Sequence, residues 1–568
     1  MLKKNKYADW SKEDLIKKIK VLEKHRYGLV WEDKQEDVAE LCESALPVLH
    51  EVTTKEIIAA KALNAPVNIL IEGDNYHSLY ALNFTHKKKI DVIYIDPPYN
   101  TGSKSWRYNN NYVDKEDRYR HSKFLSFMNK RLRLSKPLLK DRGILICAID
   151  DYEVASIKLL LDDIFGEQNR LATLVVMHNP RGRNDDKFFA TQHEYLLVYA
   201  KNADKANVGH FTLTEDEKDD YKLEDDISAF SETSFVRSGN NSRRKERPNL
   251  YYPIYYNEKQ NKLSLEQEAG WEKLLPKDAK GEERTWRWER KTFLELYETE
   301  LFVKKVKGVN KIFKKRRLRK TTGRKPKTIW YDSKYDASSN GIMILQKILG
   351  NGTSFNYPKS LYAVRDILEL TTSRDSIVLD FFAGSGTTGH AVLELNQRDS
   401  GSRQFILCTN NENGICEEVC YPRVKKVIRG YGGKKGIPAN LKYFRTDSVP
   451  HVLTDNDKRV LVNRSTELLC LAESTFELVR QSKQKLEFAI YRSSKQNTAI
   501  IYDEDAIKKC IDSLESLKPR TNTVIYVFSY DHEYHEEDFD ALTIRFTVKP
   551  IPEAILNVYR KNAKLRRK

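Results

Sequence analysis

Ile90-Asp91-Val92-Ile93-Tyr94-Ile95-Asp96-Pro97-Pro98-Tyr99 is an apolar, β-branched run that stops at an acidic residue and two prolines. Such a run reads as a strand buried on both faces, as in a parallel sheet. The two prolines end it: proline fixes φ and has no amide hydrogen, so the turn holds its carbonyls in one direction. In open α/β sheets functional groups gather at the carboxyl ends of strands, which is where Asp96 falls. The chemistry available there suits an exocyclic amine of a nucleobase, a weak nucleophile because its lone pair is delocalised into the ring. The Asp96 carboxylate and the Pro97 carbonyl supply two acceptors for the amine hydrogens. Pro98 completes the turn, and Tyr99 offers a ring on which a flat base stacks. A strand ending in an Asp-Pro-Pro turn with a packed tyrosine is the bland alternative, and these four residues alone leave it open.

The second informative stretch is Ile377-Val378-Leu379-Asp380-Phe381-Phe382-Ala383-Gly384-Ser385-Gly386-Thr387-Thr388-Gly389, followed by the helical pattern His390 to Leu395. It reads as strand, glycine loop, helix. Glycines 384, 386 and 389 satisfy G-x-G-x-x-G, in which missing side chains admit close approach of a cofactor and tight packing of helix on strand. A dinucleotide pyrophosphate at the helix N-terminus or a ligand-free turn would use the same pattern. Phe382 and the Ser-Gly-Thr-Thr continuation fit better with S-adenosylmethionine.

Together these motifs resemble the β-class amino-methyltransferases of DNA, and most closely the modification subunits of type III restriction-modification systems. In that class the catalytic motif precedes the cofactor motif, as position 96 precedes 384 here. Asn68 to Asn75 resembles the lead-in to the catalytic strand, and Tyr99-Asn100-Thr101-Gly102 its continuation. Gly143 to Asp151 and His193 to Tyr199 resemble later core strands, and Phe355-Asn356-Tyr357-Pro358-Lys359-Ser360 the segment ahead of the glycine loop. The resemblance covers most of 61–200 and 352–446. It implies a Rossmann-like α/β domain with a largely parallel sheet, S-adenosylmethionine as cofactor, and base flipping of the target. It also implies methyl transfer to adenine N6, with cytosine N4 or a stand-alone enzyme as alternatives. The implied catalytic residues are Asp96, Pro97, Pro98 and Tyr99. The implied cofactor residues are Asp380, Phe381, Phe382, Ala383, Gly384, Ser385, Gly386, Thr387 and Thr388, with Tyr357 and Lys359. Many relatives end the strand after the glycine helix in an acidic ribose contact. Here Arg403 to Thr409 runs into Asn410-Asn411-Glu412, and Glu412 is the choice because a carboxylate accepts from both hydroxyls.

The 568 residues suffice for two to four domains, and the net charge of +17 with a pI near 9.2 implies a polyanionic partner, since cations that neutralise phosphates release counterions. Double-stranded DNA is the expected one. No apolar run approaches the length of a bilayer span, so no membrane partner is expected, and a cytoplasmic protein of a prokaryotic cell is. The seven cysteines are scattered. Cys416 and Cys420 lack a second ligand pair, which reads as structural thiols and no metal site.

The expected organisation is an N-terminal helical region (1–60), a methyltransferase domain in two parts (61–200 and 352–446), a target-recognition insertion (201–351) and a small α+β C-terminal domain (447–568). Within 1–60, Ser11 to Lys24 reads as a capped helix whose Leu15, Ile19 and Leu22 stripe packs on its own protein. The insertion is rich in charge and aromatics. Arg243, Arg244, Lys245, Arg287, Arg290, Lys315, Arg316 and Arg317 are its expected DNA contacts, with tryptophans and tyrosines for apolar contact. The acidic stretch Asp216 to Asp226 argues that part of it stays off DNA. The C-terminal domain is expected to dock a partner chain. No G-x-x-x-x-G-K-[ST] loop is present, so the helicase and nuclease work of a restriction subunit would fall to a separate protein. The resemblance further implies a homodimer. Readings from other classes are an RNA or protein methyltransferase, a dinucleotide-dependent oxidoreductase and a non-enzymatic DNA-binding regulator.

Overall fold

A computed structural model describes the chain except residues 1–9, 24–30, 33, 60–65, 102–106, 109–110, 115, 184–185, 319–322, 353–354, 356, 451, 453, 483–485, 518–521, 531–535 and 567–568. The chain divides into two compact units, one of 1–209 with 327–568 and one of 210–326.

The larger unit is built on a ten-stranded sheet. Its strands in chain order are β1 (Ala45–Glu51), β2 (Val67–Glu72), β3 (Ile90–Ile95), β4 (Leu139–Ile149), β5 (Arg170–Met177), β6 (His193–Ala200), β7 (Ile329–Trp330), β8 (Ile377–Asp380), β9 (Gln404–Thr409) and β10 (Asn440–Pro450). Their spatial order is β1-β10-β2-β9-β8-β3-β4-β6-β5-β7. The pairings from β10 through β4 are all parallel, which is why these strands read as continuous apolar runs. Every residue of β3 is buried, and its one charge, Asp91, is met by Lys140 at 2.7 Å and the amide of Ile377 at 3.0 Å. Ile93 and Ile95 join a core cluster with Leu79, Phe124 and Leu160 from the helices Asn75–Thr85, Arg120–Ser135 and Val154–Phe165. The helix Arg120–Ser135 ends just ahead of Pro137. Pro137 lies in a short turn, and Leu139 already belongs to β4.

From β3 the chain moves to β4 on one side, and from β8 to β9 on the other. Adjacent strands whose connections diverge leave a crevice beyond their carboxyl ends. Asp96 follows β3 directly, and Asp380 ends β8.

The five-stranded sheet of 477–551 belongs to the same unit. The final helix, Glu553–Arg566, stacks Tyr559 on Tyr80 with ring centroids 5.3 Å apart and buries Ile555. The N-terminal helix Lys12–Glu23 starts with Ser11 accepting from the Asp14 amide. Its Leu15 and Ile19 are exposed, not packed on the protein as their spacing suggested; the side chain of Leu22 lies outside the described residues.

The unit of 210–326 holds two three-stranded sheets and the helix Arg290–Glu300 around Phe235, Tyr252, Trp286, Phe293 and Ile312. Within the 201–351 range that the sequence sets apart, 201–209 and 327–351 fall in the larger unit.

Candidate active site

Asp96, Pro97, Pro98 and Tyr99 line a cavity of about 1460 Å³ together with Asp380 to Ser385, Thr387, Thr388, Tyr357, Lys359 and Glu412. Two motifs almost three hundred residues apart in the chain thus meet across the β3/β8 crevice.

At the β3 end one lysine organises the site. Lys359 Nζ lies 3.1 Å from Asp96 Oδ1 and donates to Glu194 Oε2 at 2.7 Å. It also contacts the Tyr99 hydroxyl and sits 4.3 Å from the centre of that ring. The Tyr99 hydroxyl donates to Glu194 at 3.0 Å. Burial works against the Lys359 ammonium, but the carboxylates of Asp96 and Glu194 outweigh it and hold its pKa above the ordinary lysine value. Burial pushes Asp96 up, opposed by Lys359. For Glu194 the ammonium wins, and its carboxyl stays below the usual range despite burial. The arrangement keeps Glu194 ionised and leaves Asp96 as the carboxylate open to the cavity, its side chain 25% exposed. Behind the turn, Asn100 adopts a positive φ of 55° and its buried side chain donates to Glu153.

At the β8 end, the carboxylate of Asp380 accepts from the Phe382 amide at 3.0 Å and from the Thr388 hydroxyl. Burial pushes it up to about 7, against those two bonds. Gly384 and Gly386 have φ of 51° and 77°, the left-handed region where glycine is favoured. A Cβ on Gly386 would lie 3.1 Å from Cys420 Sγ, and one on Gly389 would lie 3.0 Å from Leu407 of β9. The loop therefore approaches its surroundings as closely as the glycine spacing implies. Asn75 fixes the carbonyl of Phe381 at 2.9 Å, and Phe382 leans on Phe127 with centroids 5.8 Å apart.

Tyr357 is exposed at the cavity rim, and Glu412 lines the cavity from beyond β9; Asn356 lies outside the described residues. Lys359, expected beside the cofactor loop, instead touches Asp96 and Tyr99. Sequence reading missed Glu194, quoted only as part of a strand, although an acid within an otherwise apolar run is itself a signal. It also missed Arg423, whose buried guanidinium binds Ser385 Oγ at 3.1 Å and Thr387 Oγ1 at 2.8 Å under the glycine loop. A lone arginine inside a helix gives no motif to find it by.

The expected DNA contacts divide sharply. Strand alternation in Val309–Arg317 sends Lys315 and Arg317 to one face and Arg316 to the other. Arg317 is buried, paired with Asp225 at 2.7 Å and Glu300 at 3.0 Å, and Lys315 shares Asp225 at 2.7 Å. The expectation that Arg317 meets a phosphate is corrected: its charge is spent inside the fold. Asp225 comes from the acidic stretch read as lying off DNA. Arg316 is exposed over the Tyr221 ring, and Arg244 pairs with Glu283 at 3.0 Å. Arg243, Lys245, Arg287 and Arg290 are exposed. Trp286 is core, stacked on Phe235 and donating to the Tyr252 carbonyl, so it offers no apolar contact to a ligand.

The fold and site define a doubly wound α/β protein with a cleft at its switch point, where the Asp96-Pro97-Pro98-Tyr99 turn and a glycine loop line one cavity. The chain belongs to the DNA methylase family, whose profile matches residues 90–419, more than half of its length. It is 37% identical over 374 residues to the type II methyltransferase M.KpnI of Klebsiella pneumoniae, covering 64% of this chain and 85% of that protein. It is 34% identical over 375 residues to the Mod subunit of the type III restriction-modification enzyme EcoPI of Escherichia phage P1, covering 61% and 58%. With the StyLTI Mod subunit of Salmonella typhimurium it shares 29% identity over 395 residues, covering 64% and 56%. The chain thus spans less than two thirds of the length of these Mod subunits. Among the described residues no helix is long and apolar enough to cross a membrane.

Proposed function

We propose that this protein methylates the N6 amine of adenine at a specific sequence in double-stranded DNA, with S-adenosylmethionine as donor, as the modification subunit of a restriction-modification system. The observation that carries the reading is the convergence of Asp96-Pro97-Pro98-Tyr99 and the Asp380–Thr388 loop on one cavity. The cofactor supplies a sulfonium methyl group when bound. Asp380, Phe382, Ala383 and Gly384 line the cavity on a turn that the positive φ of glycines 384 and 386 permits, and they suit its methionine part; Glu412 and Tyr357 also line it. The target base is rotated out of the duplex into the pocket beside Tyr99. Asp96 and the Pro97 carbonyl accept the amine hydrogens and so turn the nitrogen lone pair outward. Lys359 and Glu194 hold Asp96 and Tyr99 in place, which makes catalysis a matter of positioning and electrostatics. The inserted unit of 210–326 reads the target, and a separate motor-nuclease subunit and a second copy of the chain are the proposed partners.

Single-molecule sequencing of DNA from cells expressing the chain alone tests this. N6-methyladenine confined to one short motif, and lost in Asp96→Ala while S-adenosylmethionine binding persists, is the expected result. Methylation by Asp96→Ala, or marks on cytosine N4, would overturn the corresponding part. The similarity to M.KpnI favours a second reading, a type II enzyme acting without such a subunit. Purification from the native host separates the two by whether an ATPase chain accompanies it.

A further inference from the structure

The described residues of the connection between β5 and β6 are tied together by hydrogen bonds. The His178 and Asn179 amides donate to the Gln192 carbonyl at 3.0 and 3.1 Å, and the Arg183 amide to the Thr191 carbonyl at 3.2 Å. Asp186 turns its carboxylate onto the Thr191 amide at 2.8 Å. Both feet of this hairpin stand at the Asp96 end of the cleft: His178, Asn179, Arg183 and Glu194 line the cavity, and Glu194 accepts from Tyr99. Its tip carries Phe188 and Phe189, 81% and 89% exposed. A chain that leaves two adjacent phenylalanine rings in water on a braced loop, whose feet line the cavity that Asp96 lines, has placed them for a partner. The charge around them defines that partner. Arg181 and Lys187 are exposed on the same loop, with the Lys187 ammonium 5.1 Å from the Phe188 ring centre. Apolar rings with a cation beside them match a base stack bordered by phosphates.

We propose that Phe188 and Phe189 are the wedge that enters the duplex at the target step and fills the space vacated by the flipped base. The inference rests on the DNA-methylation reading. It separates two roles, in which Tyr99 receives the base and the hairpin tip holds the helix open. An apolar wedge stabilises the open step by stacking on its neighbours, offsetting part of the cost of unstacking.

The test uses the full chain with Phe188→Ala and Phe189→Ala combined, after unfolding and S-adenosylmethionine binding are found equal to wild type. Two duplexes carrying the motif found by sequencing are compared, one matched and one with the target adenine mispaired and so already loosened. The expected result is a roughly tenfold or larger fall in kcat/KM on the matched duplex, with most of that loss restored on the mispaired one. The fluorescence rise of 2-aminopurine at the target position should shrink in parallel. No loss, or an equal loss on both duplexes, overturns the wedge and leaves another partner for the tip. A wild-type chain that methylates no DNA fails the functional reading itself, and the wedge falls with it.

Discussion

In the cleft, Asp96 and Glu194 flank the ammonium of Lys359; in the unit of 210–326, Asp225 and Glu300 flank the guanidinium of Arg317. In both, two acids flank one base, with Lys315 also joining Asp225 in the second, but they differ in what they leave open. The Arg317 side chain is wholly buried, and its cluster locks a strand to its neighbours. The Lys359 cluster closes Glu194 and leaves Asp96 facing the cavity. A buried ion pair by itself is weak evidence of stability or function; what sets the Lys359 cluster apart is that one member, Asp96, also lines the cavity.

The sharpest way to break this comparison is Lys359→Met. If Lys359 belonged to the cofactor site, the variant would lose S-adenosylmethionine affinity. If it organises Asp96 and Tyr99, affinity by calorimetry stays near wild type while kcat falls by roughly a hundredfold. The pH profile adds a sign. Protonated Asp96 no longer accepts fully from the amine, so activity is lost as pH falls through its pKa, which burial already raises. Removing the ammonium removes the main opposing influence and leaves two carboxylates facing each other. The acid limb should therefore move to higher pH in the variant. An unmoved limb would show that Lys359 does not govern Asp96.

The next effect is on stability. Trp286→Ala, in the unit of 210–326, should cost about 3–5 kcal/mol in urea unfolding of that unit, the usual cost of emptying a large aromatic site. A ligand-facing tryptophan would instead leave stability unchanged and weaken DNA binding. Arg317→Ala should likewise lower the unfolding midpoint, because it removes the guanidinium that the buried Glu300 carboxylate faces, while Arg316→Ala leaves it in place.

The same contrast explains what the sequence could reveal. The Asp96 turn and the glycine loop were legible as structure because each is set by local order: a strand, a proline-fixed turn, a helix start, each readable within a dozen residues. The strands of the sheet were legible as apolar runs, with ends displaced by a few residues, as at Leu139. Glu194 and Arg423 were not, because each acts on a partner that only the fold brings near: Glu194 on Tyr99, and Arg423 on Ser385 and Thr387. Lys315 and Arg317 misled because net charge counts residues without regard to pairing. Alternation along one strand turned Lys315 and Arg317 onto Asp225, some ninety residues away in the chain. Trp286 misled in the same way, since an aromatic among charges suits a small core as well as a binding face.

The smallest expected effect concerns the charges that remain exposed. Arg243 and Lys245 form no ion pair among the described residues, unlike Arg244 beside them, which is held by Glu283. If they meet the backbone of DNA, Arg243→Ala and Lys245→Ala should each weaken binding about equally for target and non-target duplexes. Each should also flatten the slope of log K against log salt by about 0.9, the share of one released counterion. Lys315→Ala should leave that slope unchanged, because its charge is already met by Asp225. A slope altered by Lys315 but not by Lys245 would mean that the Asp225 cluster opens on DNA, and the distinction between spent and available charge in this unit would fail.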